Sequence, residues 1–506
     1  MGFWETALTV GAIYLSYCTI VCIRRIFFHP LSGFPGPKFA ACTLWYEFYY
    51  DVVLEGKWVW RIKDMHEKYG PIVRINPHEL HIKDPEFYDE IYGPATGGKV
   101  RNKYSWWVNM AGAPVSIFAT TEHSHHRLRR APLNPFFSKQ AVRNLEPLIW
   151  EKVNTLVSRL DRATKEEQVI RADCAFMALT MDVICSYCFG HDPKYLQDKD
   201  LGLSWKETIN GAWQNGALLR AFPQMANVMR VFPRTIAMKI DPNMGKFLAW
   251  QDSVKDMVRP IMENNDGKNN HRTIFHTLRD SDLPPEEKSI RRLCDEGEIF
   301  TGAGSETTAK TLTTILFYLT TNPEILQSLR SELATVATVP NTPPSWSELE
   351  RLPYLSAIVQ EGLRLSHGIT TRLPRTASEP LFYKNFQIPS GTPVSQTPYF
   401  VLSDENVFFE PQNFKPERWL GYHGLDKYQV VFGKGSRACI GMNLAYAELT
   451  MTCAALFRRF RFELFETSFK DIEMVHDFFV AAPAEPRRGV RVRVFNVGKE
   501  CNTLSL

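Results

Sequence analysis

The chain has 506 residues, of which 44% are hydrophobic, so it is long enough to bury a large core. Its formal net charge is only +4, and lysine and arginine are spread along the chain, which argues against a nucleic-acid partner. Ten cysteines in so long a chain are not a disulfide framework and are typical of a reducing compartment. No Gly/Ser linker or internal repeat divides the sequence, which favours one large domain.

The N-terminus carries a long apolar segment. Residues 3–23 are apolar apart from Glu5, and the segment ends at Arg24 and Arg25. About 20 helical residues match the thickness of a bilayer core, so we predict a membrane anchor over residues 1–25. A cleaved signal peptide is the alternative. The basic pair follows the apolar segment, which favours the anchor and places the remaining chain in the cytoplasm.

Residues 26–38 contain prolines at 30, 35 and 37 and glycines at 33 and 36. Such a segment cannot form a helix and has little freedom to flex, because proline fixes one backbone dihedral. We therefore predict a stiff hinge here, followed by a catalytic domain over residues 39–506.

The body of the chain is mostly helical in its periodicity. Residues 71–84 alternate between apolar and polar on either side of Pro77, which predicts a hairpin, and residues 489–495 alternate in the same way. Residues 141–160 have helical periodicity, and the longest predicted helix covers 289–321 and is stopped by Pro323. Cys185 and Cys188 have CxxC spacing but lie in an apolar helical segment, so we interpret them as core residues. The sequence predicts a mainly α fold with small β-sheets.

The stretch FGKGSRACIG places a cysteine among glycines immediately before an apolar helical segment. Gly433 and Gly435 permit a tight turn, and the amides of the following helix favour a negative charge on the sulfur of Cys439. A thiolate that binds iron in a flat cofactor needs these features. Arg437 is placed to meet a carboxylate, and Phe432 to cover the sulfur side of a ring. The alternative is an ordinary buried cysteine at a helix start.

The pattern of Phe432, Gly435, Arg437, Cys439 and Gly441 resembles the haem-binding signature of the cytochrome P-450 superfamily. The resemblance implies the family's mainly α fold and one haem b, with the thiolate of Cys439 as the axial ligand of the iron. It covers nearly the whole chain.

Two further motifs follow the family's order. EGLR places Glu361 and Arg364 on one helical face, and PERW supplies Arg418. The resemblance implies that one carboxylate and two guanidinium groups form a structural triad that holds the cysteine loop to the core. Taken alone, a Glu/Arg pair of this spacing is typical of a solvated surface.

The segment AGSETT lies within the longest predicted helix. Glu306 and Thr307 resemble the family's acid–alcohol pair, which delivers protons beside the oxygen site. A hydroxyl bond from Thr307 to the carbonyl of a residue one turn back, near Ala303, would loosen the helix and admit water. The alternative is a helix that is merely rich in threonine.

The haem propionates need cationic partners. HHRLRR resembles the family's WxxxR helix, with Arg130 matching and His126 in place of the tryptophan, and Arg375 matches a further propionate partner. A zinc cluster of His123, His125 and His126 is the alternative, but no second pair of ligands accompanies these residues.

The resemblance also places a substrate pocket over the haem. Its lining is apolar, which predicts a lipophilic substrate. For Trp106 and Trp107, packing in the core is an open alternative. The predicted lining residues are Trp106, Trp107, Phe300, Ala303, Ile369, Thr370 and Phe479.

By resemblance, the reaction is monooxygenation. The chain has no GxGxxG motif and no flavin domain, so electrons come from NADPH through a diflavin partner, NADPH–cytochrome P-450 reductase, with cytochrome b5 as a further candidate. We expect the reductase to dock near Lys434 and Arg437. The N-terminal anchor is typical of single-pass enzymes of the endoplasmic reticulum membrane.

Phrases such as RRAPLNPFFSKQAV resemble fungal enzymes of secondary metabolism, which favours a terpenoid or polyketide intermediate as the substrate. There are two alternative functions. The first is a haem-thiolate isomerase or dehydratase that acts without external electrons, but such an enzyme does not need the acid–alcohol pair. The second is a non-enzymatic membrane haem protein, but such a protein does not need both an apolar access loop and a proton relay.

Overall fold

The computed structural model describes residues 2–94, 99–231, 233–240, 242–263, 272–336, 343–421, 424–485 and 488–497. In these ranges the chain is mainly helical with small sheets, as predicted.

The helices of the first half are α1 Phe3–Ile23, α2 Lys38–Cys42, α3 Trp45–Phe48, α4 Trp58–Tyr69, α5 Tyr88–Tyr92, α6 Ser105–Val108, α7 His123–Arg130, α8 Lys139–Asn144, α9 Glu146–Lys165, α10 Ala172–Phe189, α11 Leu203–Gln214, α12 Gly216–Ala221, α13 Gln224–Val231 and α14 Arg234–Ile240. Those of the second half are α15 Pro242–Met262, α16 Ile274–Asp280, α17 Ile290–Thr321, α18 Pro323–Ala334, α19 Trp346–Leu349, α20 Pro353–Ser366, α21 Pro398–Leu402 and α22 Met442–Arg459.

The strands are β1 Ile72–Arg74, β2 Leu80–Ile82, β3 Arg101–Lys103, β4 Ile170–Arg171, β5 Arg375–Ala377, β6 Leu381–Tyr383, β7 Phe386–Ile388, β8 Val394–Ser395, β9 Phe460–Leu464, β10 His476–Phe478, β11 Val480–Ala482 and β12 Arg491–Asn496. The largest sheet has the order β1-β2-β8-β5-β3. The hairpin predicted over 71–84 is confirmed as the antiparallel pair of β1 and β2. The strand predicted over 489–495 is β12, which pairs with β9 and β4.

Helix α1 buries none of its residues against the body. The helical conformation does not end at the basic pair, because a π-helical turn carries it on through Arg24–Phe28. Together they form an apolar span of 26 residues, whose length and composition are compatible with a membrane anchor.

A second apolar helix of suitable length, α10, is 89% buried in the protein and belongs to the core. Cys185 and Cys188 lie on it with 1% and 0% of their surface exposed, which confirms their interpretation as core residues.

The periodicity of residues 141–160 is confirmed as helical, but it belongs to two helices. Helix α8 ends at Asn144 and α9 begins at Glu146, with Pro147 in its first turn. Proline is tolerated in the first turn of a helix, because the amide N–H that it lacks has no helical partner there. In the interior of a helix, proline breaks the continuous hydrogen-bond pattern.

Helix α17 has 32 residues and crosses the body of the protein. Ser289 caps its N-terminus by accepting a hydrogen bond from the amide of Arg292, and the helix ends at Thr321, two residues before Pro323. The predicted helix is therefore confirmed at both ends. α17 packs against α10, α15, α20 and α22, which makes it the central element of the core.

Candidate active site

The cysteine loop borders a cavity of about 530 Å³ inside the helical body. Gly433 and Gly435 both have φ +65°, the left-handed conformation that glycine adopts most easily. A Cβ on Gly435 would lie 2.5 Å from the carbonyl oxygen of Gly93, so no side chain fits there. The loop is closed by a 2.8 Å hydrogen bond from the amide of Cys439 to the carbonyl of Phe432.

Cys439 lines the cavity and, among the nine cysteines in the described ranges, is the one whose surface is exposed, in its case to the space inside the cavity. Burial within the protein raises the pKa of its thiol, while the amide of Gly441 and the charge of Arg130 oppose that rise. Phe432 lines the same wall and packs against Tyr446 at a ring separation of 5.2 Å.

One end of the cavity is cationic. Arg130 donates to the carbonyl of Ala438, next to the cysteine, at 2.7 Å. Arg437 donates to the carbonyls of Thr120 at 2.6 Å and Thr121 at 2.7 Å. Together with His126 and Arg375, both residues line the cavity, as the propionate prediction requires.

Lys103 is a further cation at this end of the cavity, and the sequence did not predict it as a cavity residue. It lies opposite Arg375 in the antiparallel pair of β3 and β5, so both side chains project from the same face of the sheet. No motif marks it, because only the pairing of two distant strands brings it to the cavity.

The positive charges at this end of the cavity repel one another. Burial and neighbouring cations lower the pKa of Arg437 to about 9 and that of His126 to about 2. Burial also lowers the pKa of Lys103, with Arg375, Arg437 and Arg130 adding to the effect. Like charges this close need an anion for compensation.

The residues present fit haem b. Within the described ranges no carboxylate forms an ion pair with Lys103 or with any of the three arginines at this end. Nδ1 of His126 and Nε of Arg437 are buried without a hydrogen-bond partner. A flat apolar cofactor with two carboxylates supplies the missing anions, and the sulfur of Cys439 faces the same cavity.

Glu361, Arg364 and Arg418 come together in the core. The Glu361 carboxylate accepts bonds from Nη2 of Arg364 at 2.7 Å and from Nε of Arg418 at 3.0 Å. Glu361 and Arg364 are fully buried, and Trp419 donates a further bond to the carboxylate at 2.8 Å. Opposite charges hold the pKa of Glu361 below its usual value against the effect of burial.

Helix α17 presents different residues to two cavities. Ala303, Thr307 and Thr311 recur at helical spacing and line the main cavity. The hydroxyl of Thr307 donates to the carbonyl of Ala303 at 2.9 Å, the bond expected from the sequence.

The side chain of Glu306 does not line the main cavity. It lies in a second cavity, of about 80 Å³, on the other side of α17. Its Oε2 has no hydrogen-bond partner, and burial raises the pKa of its carboxyl group.

The predicted substrate residues divide into two groups. Trp107, Phe300, Ala303, Ile369 and Phe479 line the main cavity, whereas Trp106 and Thr370 do not.

Two of the substrate predictions are therefore corrected. The ring of Trp106 lies 5.0 Å from the guanidinium of Arg220, outside the cavity. The hydroxyl of Thr370 donates to the Asp477 carboxylate at 2.7 Å, because this small polar side chain satisfies a buried acid.

The cavity wall also contains Trp213, which sequence reasoning missed. Its ring stacks on Phe479 at 4.9 Å and 24°. Trp213 lies on the amphipathic helix α11, where an aromatic residue is indistinguishable by sequence from one in the core.

A zinc site at the three histidines finds no support. His125 bonds to the Glu287 carboxylate at 2.6 Å. Within the described ranges no group of three or more potential ligands is arranged to hold a metal ion.

A sequence model of the cytochrome P450 family matches residues 37–486. The chain belongs to the cytochrome P450 family. Members of this family bind haem through a cysteine thiolate and receive electrons from NAD(P)H through a reductase. Haem is therefore the bound cofactor of this P450, and NAD(P)H supplies its electrons through a reductase.

Curated relatives show the reaction class of this P450. It is 42% identical to the cytochrome P450 monooxygenase sdnE of Sordaria araneosa, over 96% of this chain and 97% of the relative. It is 41% identical to the tryptophan 6-hydroxylase fscE of Fusarium equiseti, over 95% and 96%. It is 38% identical to the N-acetyltryptophan 6-hydroxylase ivoC of Emericella nidulans, over 97% of both chains. This P450 is a monooxygenase of the fungal secondary-metabolite type.

Proposed function

We propose that this P450 binds haem b through the thiolate of Cys439 and hydroxylates or otherwise oxidises a lipophilic small molecule. The proposal depends on one observation: Cys439 and an uncompensated cationic group lie on the wall of one largely apolar cavity that also exposes Thr307. When bound, the haem activates dioxygen so that one oxygen atom enters the substrate and the other leaves as water.

The protein supplies binding, orientation and protons. His126, Arg130, Arg375 and Arg437 would bind the propionates, and Phe432 with Gly433 would cover the sulfur side of the ring. The Thr307 hydroxyl, which bonds to the carbonyl of Ala303, would order a water molecule and pass protons to the oxygen side, with Glu306 as their source.

The substrate is proposed from the lining of the distal wall. Trp107, Trp213, Phe300 and Phe479 present apolar surface, which favours a lipophilic molecule with few ionic groups. A terpenoid or polyketide intermediate fits such a wall and remains the leading substrate class.

The structural pair of Glu361 and Arg364, with Arg418, holds the cysteine loop in place.

A second substrate class is an aromatic metabolite. The stacked rings of Trp213 and Phe479 offer a surface on which an indole can pack. Two of the relatives named above are hydroxylases of tryptophan or N-acetyltryptophan.

The predicted boundaries are an anchor over residues 1–25, a hinge over 26–38 and a catalytic domain over 39–506, but the helix continues to Phe28, so the anchor is proposed to end there. The catalytic domain is proposed to face the cytoplasm from the endoplasmic reticulum membrane. The guanidinium of Arg74 supports a stiff hinge, since it donates to the carbonyls of Arg25 at 2.8 Å and Pro77 at 2.8 Å. Electrons arrive from NADPH–cytochrome P-450 reductase.

Cys439→Ser tests the ligand. We expect the variant to lose the red-shifted ferrous–CO band that thiolate ligation produces, because a serine hydroxyl is not a thiolate donor. Cys453→Ser is the matched control, since Cys453 is fully buried on α22 and outside the cavity lining. Persistence of the band in Cys439→Ser would contradict the proposal.

Spin-state titration tests the substrate class. Farnesol, 6-methylsalicylic acid and N-acetyltryptophan represent the terpenoid, polyketide and indole classes, and a bound substrate displaces water and shifts the haem from low to high spin. A shift with farnesol or 6-methylsalicylic acid supports the leading class. A saturable shift with N-acetyltryptophan alone would favour the second.

A further inference from the structure

The second cavity lies beside α17 and, among the described residues, shares only Trp213 with the lining of the substrate space. Glu306, Ala309, Lys310 and Thr313 line it at spacings of three, one and three residues, so they share one side of the helix. Gln214, an exposed residue, lies on the same lining and brings the cavity to the protein surface. A volume of about 80 Å³ is enough to hold water.

Lys310 lies one helical turn after Glu306. Its ammonium group donates to the carbonyl of Ala481, which engages one of its three N–H donors. Glu306 and Lys310 form no direct ion pair in the described structure, but both line the second cavity, where a water molecule has room to bridge them.

Other charged groups surround Lys310. Lys206 on α11 lines the second cavity and contacts the Asp173 carboxylate of α10. The titratable and charged groups near Lys310 are Glu306 on its own helix and, on neighbouring elements, Asp173, Lys206, His367, Asp471 and Asp477.

We propose that Lys310 is the proton donor that returns a proton to Glu306 in each catalytic cycle, with the second cavity as its route to solvent. The proposal rests on the function proposed above and adds a residue to its proton path. Lys310 does not touch the haem or the substrate; it acts through Glu306.

The transfer is balanced in protons and moves no electrons. An N–H bond of the Lys310 ammonium breaks, the proton passes through one bridging water, and an O–H bond forms at Oε2 of Glu306. The neutral amine of Lys310 is then protonated by solvent water through the second cavity.

The pKa shifts of the two groups favour such a proton transfer. Burial lowers the pKa of Lys310 to about 8 and raises that of Glu306. The two groups therefore approach each other in acidity, which makes proton transfer between them inexpensive in free energy.

Lys310→Met and Lys310→Arg separate proton donation from simple charge. Methionine removes both, whereas arginine keeps a positive charge but does not release its proton near neutral pH. The full-length holoenzyme with its reductase is assayed with whichever of farnesol, 6-methylsalicylic acid or N-acetyltryptophan gives the largest spin shift. The fraction of consumed NADPH that appears as hydrogen peroxide is measured between pH 6.5 and 9.

We expect both variants to form product about tenfold more slowly and to release more peroxide at pH 7. In the wild type, peroxide should rise as the pH passes about 8, since Lys310 then loses its proton. In both variants the peroxide fraction should be constant across that range. Lys288→Met is the matched control, because Lys288 also donates to a backbone carbonyl, that of Ser281, away from the second cavity.

Wild-type behaviour in Lys310→Arg would overturn the proposal, because it would show that only the charge matters. Wild-type behaviour in Lys310→Met would overturn it as well. Both results leave the proposed function intact, which fails instead if Cys439→Ser keeps its CO band.

Discussion

At the scale of single residues, neighbours on one helix have separate tasks. Thr307 faces the main cavity and Glu306 the second, although they are adjacent in sequence. Consecutive helical residues differ in direction by about 100°, so the two side chains reach different cavities from one helix. The sequence motif shows that the pair exists but not that its members face different spaces.

Thr307→Ala should uncouple the enzyme. The variant is expected to keep the ferrous–CO band and to divert NADPH from product to peroxide, because the hydroxyl that bonds to Ala303 and orders water is lost. Product and peroxide per NADPH are the measurements. Thr320→Ala is the control, since that hydroxyl bonds to the carbonyl of Leu316 in the same way outside both cavities. Full coupling in Thr307→Ala would count against the relay.

Arg418→Met tests the buried triad. Removing one partner leaves the Glu361 carboxylate partly uncompensated in the core, which should cost about 3 kcal/mol of unfolding free energy and accelerate haem loss. Lys427→Ala removes an exposed ion pair with Glu86 and should cost about 0–1 kcal/mol. Denaturant titration checks both values, and equal small losses would refute the structural role.

At the scale of elements, helix α12 forms part of the cavity wall through Leu218 and Leu219. A buried arginine ties it to the N-terminal elements. Arg220 pairs with Glu47 of α3 at 2.9 Å and with Asp51, and all three groups are buried. The ring of Trp106 packs against the same guanidinium, so this predicted substrate residue supports the wall from behind.

Arg220→Met should loosen this wall. We expect both association and dissociation of the spin-shifting compound to accelerate, because α12 can then move away from α3 without breaking a buried ion pair. Stopped-flow measurement of the spin shift gives both rates. The control is Arg234→Met, which removes an exposed pair with Asp252 between α14 and α15. Unchanged rates in Arg220→Met would show that α12 is held by packing alone.

At the scale of the whole molecule, buried acids couple stability to pH. Burial raises the pKa of Asp477 to about 7, and its carboxylate accepts bonds from the Thr370 hydroxyl and the Phe479 amide. An acid whose pKa is raised on folding binds more protons in the folded state than in the unfolded state. Its contribution to stability is therefore complete below pH 4 and is lost as the pH rises towards 7.

Asp477→Asn should remove that contribution to the pH dependence. The midpoint of thermal unfolding of the wild type should fall between pH 5 and 7 more steeply than that of the variant, since asparagine does not ionise. Identical slopes would mean that Asp477 ionises freely in the folded protein.

The predictable part of this protein consists of local patterns. The cysteine loop, the ends of α17, the hairpin of β1 and β2 and the bond from Thr307 to Ala303 all follow from spacing over a few residues. Backbone geometry acts over the same distance, so proline, glycine and helical periodicity are sufficient to locate them. The resemblance added the family, the haem and the reaction class.

Other features were decided by tertiary structure. Lys103 joins the cationic group because β3 pairs with β5, and Trp106 leaves the cavity because Arg220 of a distant helix holds its ring. Lys310 and Glu306 meet Lys206 only where α11 lies against α17. The sequence by itself determined which chemistry the chain can perform, since that depends on a short loop and a helix turn. The walls of both cavities depend on contacts between segments far apart in sequence, and only packing of the whole chain sets those contacts.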